Sequence, residues 1–319
     1  MGSDRLTAPV FSLQHFCLHD GPGIRSLVFF KGCPLRCAWC QNPESWRPAP
    51  EIGFREDRCI GCGACIEVCP TGAAAGADGA CTRCFACVDR CPTGARVRFG
   101  QDREVSSLLA DLAPEFPLMA DSGGGVTLSG GEPVLHAAFA RVLTSALQER
   151  GVHVALSTCG FFAETDLGSQ HPVAGLLLSV DLILFDLKVW DPDQHVRLCK
   201  RENRSIRENF TRLQRAYLDR AAPPVWPRIP LVPGITDTRE NLTQWAGFLR
   251  DRQCGHVTVV PYHDMGANKR QWLGLDPSPI RGEMGDDGVN RAKSILAQQG
   301  IVSFSPGEEA WEIIDPARP

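Results

Sequence analysis

The stretch DGPGIRSLVFFKGCPLRCAWCQNPES, Asp20–Ser45, joins an apolar run to a cysteine-rich loop. Leu27–Gly32 is Leu, Val and Phe closed by Lys31 and Gly32, the pattern of a strand buried on both faces. It hands directly onto Cys33, Cys37 and Cys40, spaced C-x3-C-x2-C. The design recurs downstream. Gly125–Ser129, Val152–Ser157, Leu182–Asp186, Val225–Leu231 and His256–Val260 are short apolar runs that end in polar or glycine-bearing turns. Between them, Val105–Phe116, Leu135–Arg150, Gln194–Leu218, Asn241–Gln253 and Val289–Gln299 read as helices. Glu240 near the start of one, and Arg250 and Arg252 near its end, suit the helix dipole. Alternation of this kind predicts an α/β fold, a parallel sheet covered by helices. Six strand–helix units favour an open or partial (β/α)6 TIM-type barrel over a closed eight-fold one, although periodicity leaves closure open. Loops at the strands' C-terminal ends then gather at one mouth, so their motifs are expected to converge on a single site.

Composition limits the alternatives. The chain has 319 residues, 43% hydrophobic and 22% charged, enough for a sizeable core and too apolar for wholesale disorder. A net charge of −4 gives no global signal for nucleic acid or an anionic membrane. The opening MGSDRLTAPVF lacks the basic start and apolar run of a secretory signal. The richest apolar stretch, Leu176–Val189, is interrupted by Asp181 and Asp186 and is too short to span a bilayer. A cytoplasmic location is therefore expected. In that setting fifteen cysteines point to metal or redox work rather than to disulfides.

Eleven of those cysteines lie between Cys33 and Cys91, and eight of the eleven form a repeat. Cys59, Cys62, Cys65 and Cys69 precede Pro70 as C-x2-C-x2-C-x3-C-P, and Cys81, Cys84, Cys87, Cys91 and Pro92 repeat the spacing. Structural zinc also favours paired C-x2-C, but it draws four ligands from two pairs rather than two runs of three plus one. The run matches two-cluster ferredoxins, where each fourth cysteine serves the other cluster. Cys59, Cys62, Cys65 and Cys91 are then expected to hold one 4Fe–4S cluster, and Cys81, Cys84, Cys87 and Cys69 the other. The surrounding segment is Cys-, Gly-, Ala- and Pro-rich and too poor in core to stand without such staples. The expected organisation is a barrel part at 1–56, a ferredoxin-like insert at 57–98 and the remaining barrel at 99–319.

The triplet Cys33, Cys37 and Cys40 leaves one iron of a third cube without a protein ligand, open to a chelating cofactor. Cys17 lies before the strand and geometry does not exclude it as a fourth ligand, though the compact triplet does not need it. Cys159, Cys199 and Cys254 lack ligand spacing and read as buried thiols.

With these segments, SGGGVTLSGGEP (Ser122–Pro133), STCGF (Ser157–Phe161), DLILFDLK (Asp181–Lys188), RIPLVPG (Arg228–Gly234) and VVPYHDMG (Val259–Gly266) complete a series. In that order the chain resembles the activating enzymes of glycyl radical enzymes, in the radical S-adenosylmethionine superfamily. The resemblance spans nearly the whole chain. It implies that Gly130, Gly131 and Glu132 cradle the methionine amine of S-adenosylmethionine, and that Asp186 and Lys188 contact the cofactor. It also implies that His263 meets the ribose region, with Gln41 nearby, and that Arg228 meets the carboxylate or the substrate backbone. A structural ion pair remains the alternative for Arg228, and core packing the alternative for Trp39, whose ring is otherwise expected beside the adenine. Thr158 matches a residue that in some members helps bind a monovalent cation, but Ser157 stands where its neighbour is acidic, so no cation site is assigned.

The implied chemistry is reductive cleavage of S-adenosylmethionine to a 5′-deoxyadenosyl radical. That radical abstracts a Cα hydrogen from one glycine of a partner glycyl radical enzyme. Asp20 and Gly21–Arg25 are the candidates for meeting the partner's glycine loop. A flavodoxin or ferredoxin would supply electrons, through insert clusters that serve either as a relay or as structure. A radical S-adenosylmethionine enzyme acting directly on a small molecule would share most of these features. A non-catalytic electron carrier would share only the ferredoxin run, with about eight irons per chain rather than about twelve.

Overall fold

The computed structural model describes residues 6–76, 80–163, 167–280 and 282–313. Its eleven strands are β1 (Thr7–Cys17), β2 (Arg25–Phe30), β3 (Glu51–Phe54), β4 (Arg96–Phe99), β5 (Gln101–Glu104), β6 (Gly125–Gly130), β7 (His153–Thr158), β8 (Leu182–Asp186), β9 (Val225–Leu231), β10 (His256–Pro261) and β11 (Val302–Phe304). Nine of them form one sheet in the order β11-β10-β9-β8-β7-β6-β2-β1-β5. From β2 through β6, β7, β8, β9 and β10 to β11 every pairing is parallel, while β1 runs antiparallel to both β2 and β5. The six expected strands are the parallel ones from β2 to β10. β1, β5 and β11 extend the sheet at its two edges.

Side chains alternate across the sheet and divide it into two environments. Val28, Leu128, Leu156, Phe185 and Ile229 face the helices, where they join Leu143, Phe210, Trp245 and Leu296 in the main core. The opposite face carries a small apolar cluster of Ala155, Leu182, Leu184 and Trp226. In register with it stand Arg25, Thr127, Asp186 and Arg228. One face is thus an oily seam, and the other is polar toward the strand ends.

Several helices differ from the periodic reading. Gln194–Leu218 is two helices, Pro192–Cys199 and Arg204–Leu218, with Lys200 in the left-handed region at φ +64°. In the break Asn203 Nδ2 donates to the carbonyls of Val189 (2.8 Å) and Trp190 (2.7 Å). Polar residues at the break fit an exposed helix face equally well, so periodicity does not reveal it. Pro114 turns the expected Val105–Phe116 helix into Val105–Leu112, a 3-10 turn and Phe116–Asp121. An unanticipated helix, Pro172–Ser179, takes the first part of the apolar stretch that ends in β8.

His256, at the start of β10, packs its ring 4.2 Å from that of Trp226, and burial pushes its imidazole down to about 4. The unfolded chain, near 6.5, takes up the proton first, so this contribution is present at neutral pH and is lost as pH falls from about 6.5 toward 4. His256→Phe is expected to remove about 1 kcal/mol of stability loss between pH 7.5 and pH 5.5. Anaerobic thermal unfolding at the two pH values checks it, and an unchanged pH slope contradicts it.

Candidate active site at the strand ends

The loop that carries the cysteine triplet is pinned at its base. Fully buried Lys31 donates from Nζ to the Glu44 carbonyl (2.5 Å) and to Glu51 Oε2 (3.0 Å), and Gly32 N donates to the Ser45 carbonyl (2.6 Å). Its far side lies on the end of the helix Pro192–Cys199, where Arg36 N reaches the Cys199 carbonyl and Ala38 N that of Leu198, both at 2.9 Å. Cys37 and Trp39 are buried with Leu35, Val232 and Tyr262, and Cys33 and Cys40 pack against the same cluster.

The glycines of GGE serve close approach. Gly130 has φ +107°, and a Cβ there would stand 2.4 Å from Phe30 N; one on Gly131 would stand 2.0 Å from the Gly32 carbonyl oxygen. Without side chains, Gly131 N bonds the Phe30 carbonyl (2.8 Å) and Glu132 N that of Gly32 (2.7 Å). The Glu132 carboxylate is fully buried and accepts from Thr158 Oγ1 (2.9 Å to each oxygen), Cys159 N (2.7 Å) and Val134 N (3.2 Å). Burial raises its pKa against these donors. Glu132 therefore clamps the exits of β2, β6 and β7.

Beside it lies a charged network. Arg228 bonds Asp186 Oδ1 from Nε (3.0 Å) and Nη2 (2.9 Å), Asp20 Oδ1 from Nη1 (3.0 Å), and Ser157 Oγ from Nη2 (2.7 Å). Lys188 Nζ donates to Asp186 Oδ2 (3.1 Å). Burial opposes every charge here, yet Arg228 and Lys188 together hold the Asp186 carboxyl below its ordinary range. Asp186 and Asp20 likewise hold the Arg228 guanidinium above its usual value. Burial also lowers Lys188, but Asp186 foremost, then Cys37, Cys159 and Cys199, raise it above the ordinary lysine value. A permanent cation thus sits beside the cysteine cluster. Arg228 is ion-paired to both Asp186 and Asp20.

On the β10 side, Gln41 Nε2 donates to the His263 carbonyl (2.6 Å) and to that of Trp39 (3.2 Å), while its Oε1 accepts from Gly266 N (3.0 Å). Gln41 so ties the cysteine loop to the segment after β10. His263 Nδ1 is buried without a protein partner, a polar atom left for a ligand to satisfy. Three thiols at one strand end, an adjacent lysine charge and an orphaned imidazole nitrogen fit a cluster with a chelating cofactor.

One expectation is corrected. Arg25 is fully buried, with Nε on Thr127 Oγ1 (2.7 Å), Nη1 on the Pro22 carbonyl (2.9 Å) and Nη2 on the Val126 carbonyl (2.8 Å). It braces β2 against β6 and offers no surface to a partner. Asp20 is partly exposed and faces Arg228. Two thiols that read as plain core residues sit within the site: Cys159 beside Cys33 and Cys199 beside Cys37. The Cys159 thiol foremost holds Cys33 below the ordinary thiol range, whereas Cys199 and burial raise Cys37. Only their positions at strand and helix ends, as in STCG, could have pointed to them.

The ferredoxin-like runs lie between β3 and β4, which pair antiparallel. They repeat at a spacing of 22 residues: Gly61 (φ +68°) matches Arg83 (φ +55°), and Gly63 (φ +74°) matches Phe85 (φ +61°). Arg83 and Phe85 adopt the left-handed backbone that glycine supplies in the first run, at a steric cost the loop geometry demands. Ala74 N donates to Cys69 Sγ (3.4 Å) and Arg96 N to Cys91 Sγ (3.5 Å). The Arg96 bond first, then backbone bonds at Thr93 and Ala95, hold Cys91 down at about 7, and the Ala74 bond first lowers Cys69. Among the described residues no three Cys, His, Asp or Glu side chains converge on a single-ion site. A four-iron cube takes one thiolate per iron instead.

The parallel α/β sheet thus carries a thiol triplet at one strand end, with a repeat of two four-cysteine runs beyond it. The 4Fe–4S binding domain family matches residues 52–74. The choline trimethylamine-lyase activating enzyme of Oleidesulfovibrio alaskensis is 35% identical over 91% of this chain and 94% of its own. The trans-4-hydroxy-L-proline dehydratase activating enzyme of Clostridioides difficile is 37% identical over 82% of this chain and 86% of its own. The structure of Streptococcus suis SuiB bound to precursor peptide SuiA shares the fold at TM-score 0.50 and 10% identity, over 85% of this chain and 46% of that one. The chain belongs to the activating enzymes of glycyl radical enzymes. Among the described residues no helix is long and apolar enough to cross a membrane.

Proposed function

We propose that the chain installs a glycyl radical on a partner enzyme by reductive cleavage of S-adenosylmethionine. The parallel strands form a partial (β/α)6 barrel in two parts, 1–56 and 99–319, around a ferredoxin-like insert at 57–98. Cys33, Cys37 and Cys40 hold the site cluster, and the two runs of four hold two further 4Fe–4S clusters. The observation that supports this reading is that the triplet loop, Glu132, Asp186, Lys188 and His263 stand at the ends of β2, β6, β8 and β10 of one parallel sheet.

When bound, the reduced cluster and S-adenosylmethionine supply one electron and a 5′-deoxyadenosyl radical that takes the glycine hydrogen. The chain's own work is binding and exclusion. Lys188 and the Asp186–Arg228 pair present fixed charges to a zwitterionic ligand without reorganising. His263 Nδ1 meets a ligand polar atom, and Trp39 and Tyr262 keep water from the loop. Glu132 and Gln41 position the loops that carry these groups. Asp20, held by Arg228, is the residue of the DGPGIR loop proposed to lie nearest the partner's glycine loop. An electron donor of flavodoxin or ferredoxin type docks at the insert, where Cys59, Cys62, Cys81 and Cys84 are exposed.

Anaerobic electron paramagnetic resonance tests the assignment. Reduced protein with S-adenosylmethionine and a candidate glycyl radical enzyme is expected to give a doublet split by the glycine α-proton, at about twelve irons per chain. Productive S-adenosylmethionine cleavage with a small molecule, and no doublet with any glycyl radical enzyme, contradicts it.

A further inference from the structure

The short helix Ala267–Trp272 follows β10 and touches two parts of the chain that lie far away in sequence. Its first end is pressed onto the cysteine loop. Gly266 N donates to Gln41 Oε1 (3.0 Å), and a Cβ on Gly266 would stand 2.8 Å from the Cys40 carbonyl oxygen. Lys269 Nζ donates to Asn42 Oδ1 (2.8 Å) and pairs with the buried Glu44 carboxylate at 2.6 Å. The other end reaches the root of the insert. Trp272 stacks on Phe99, the last residue of β4, with ring centroids 6.5 Å apart and planes 10° from parallel. The Arg55 guanidinium lies 4.4 Å from the centroid of the Trp272 ring. Arg55 directly follows β3, and its N–H donates to the Ala95 carbonyl just before β4 (2.8 Å). Both cysteine runs are fastened to this hairpin in turn: Arg96 Nη2 donates to the Ala74 carbonyl (2.9 Å), and Arg98 lies over the Phe85 ring at 4.1 Å. Direct contacts thus link the two runs, the β3–β4 hairpin, the helix and the triplet loop.

We propose that Trp272 is a positioning residue that holds the insert at electron-transfer distance from the site cluster. The inference rests on the reading that the triplet and the two runs hold clusters and that the insert relays the electron. In that step a reduced insert cluster gives up one electron and the oxidised site cluster takes it, and no proton or bond changes. The electron enters from a reduced flavodoxin- or ferredoxin-type carrier. The rate of such a step falls steeply as the gap widens, so a hairpin free to swing on its root slows it. Trp272 is half-buried and lies outside the main core, so its loss leaves the sheet's packing in place.

Freeze-quench electron paramagnetic resonance of the reconstituted full-length protein, mixed with reduced flavodoxin, separates the two claims. The site-cluster signal is the component missing from the Cys33→Ala/Cys37→Ala/Cys40→Ala variant. If that variant keeps every signal and all its iron, the cluster reading itself fails. If Cys62→Ala/Cys84→Ala leaves the site cluster reduced as fast as in the wild type, the relay reading fails. With a relay in place, Trp272→Ala is expected to slow the rise of the site signal by at least about tenfold. The insert signals should still appear at the wild-type rate, with iron at about twelve per chain. Trp272→Phe keeps a flat ring between Phe99 and Arg55 and is expected to restore most of the rate. A site signal that rises at the wild-type rate in Trp272→Ala overturns the proposal. Equal slowing of insert and site signals overturns it too, because Trp272 would then serve donor docking. So does loss of iron from Trp272→Ala, which would give the residue a part in cluster assembly instead.

Discussion

Replacing Cys33, Cys37 and Cys40 together with Ala is expected to abolish S-adenosylmethionine cleavage and to lower iron from about twelve to about eight per chain. The chain itself should survive the change. The loop base is held by Lys31 on Glu44 and Glu51 and by Gly32 on Ser45, and its far side by Arg36 and Ala38 on the end of the neighbouring helix; none of these bonds involves a triplet sulfur. The two runs of four lie beyond, between β3 and β4, and keep their ligands. Iron analysis, S-adenosylmethionine cleavage under dithionite and circular dichroism on the same preparation check it. A folded variant that loses about four irons and still cleaves the cofactor would place the chemistry elsewhere.

Arg25→Ala is expected to destabilise the whole protein by about 3 to 5 kcal/mol, rather than to weaken partner binding. The guanidinium satisfies Thr127 Oγ1 and two carbonyls in a position with no solvent exposure. Alanine leaves those acceptors buried and unpaired beside a cavity the size of the lost side chain. Thr127 also bonds the Asp20 carbonyl (2.7 Å), so the DGPGIR loop loosens with it. Cleavage of S-adenosylmethionine and activation of the partner should then fall together, and the thermal midpoint should drop. Activation lost alone, at wild-type stability, would restore Arg25 to the surface role first expected of it.

The contrast between Arg25 and Cys33 shows what a sequence reveals. The triplet's spacing is local, and its chemistry follows from three thiols whatever surrounds them. Arg25 lies in the same motif, but its role depends on Thr127 and Val126, about a hundred residues away. Glu132 was legible as part of a strand-end motif, but not as a clamp, because its donors Thr158 and Cys159 come from the next strand and the turn after it. Cys159 and Cys199 carried no spacing signal at all; only the packing of the triplet loop against the end of the helix Pro192–Cys199 and the cluster after β7 brings them beside it. The edge strands β1 and β5 were missed because their residues alternate weakly and gain their burial from pairing.

By itself the sequence determined the six parallel strands, the spacing of three cysteine groups and the order of motifs at the strand ends, since apolar runs and thiol spacing act over a few residues. Only the tertiary structure decided which charges neutralise one another, which glycines admit a neighbouring backbone and which thiols face the triplet. Those properties belong to pairs of residues far apart in the chain, and they exist only once the sheet has brought the strand ends together.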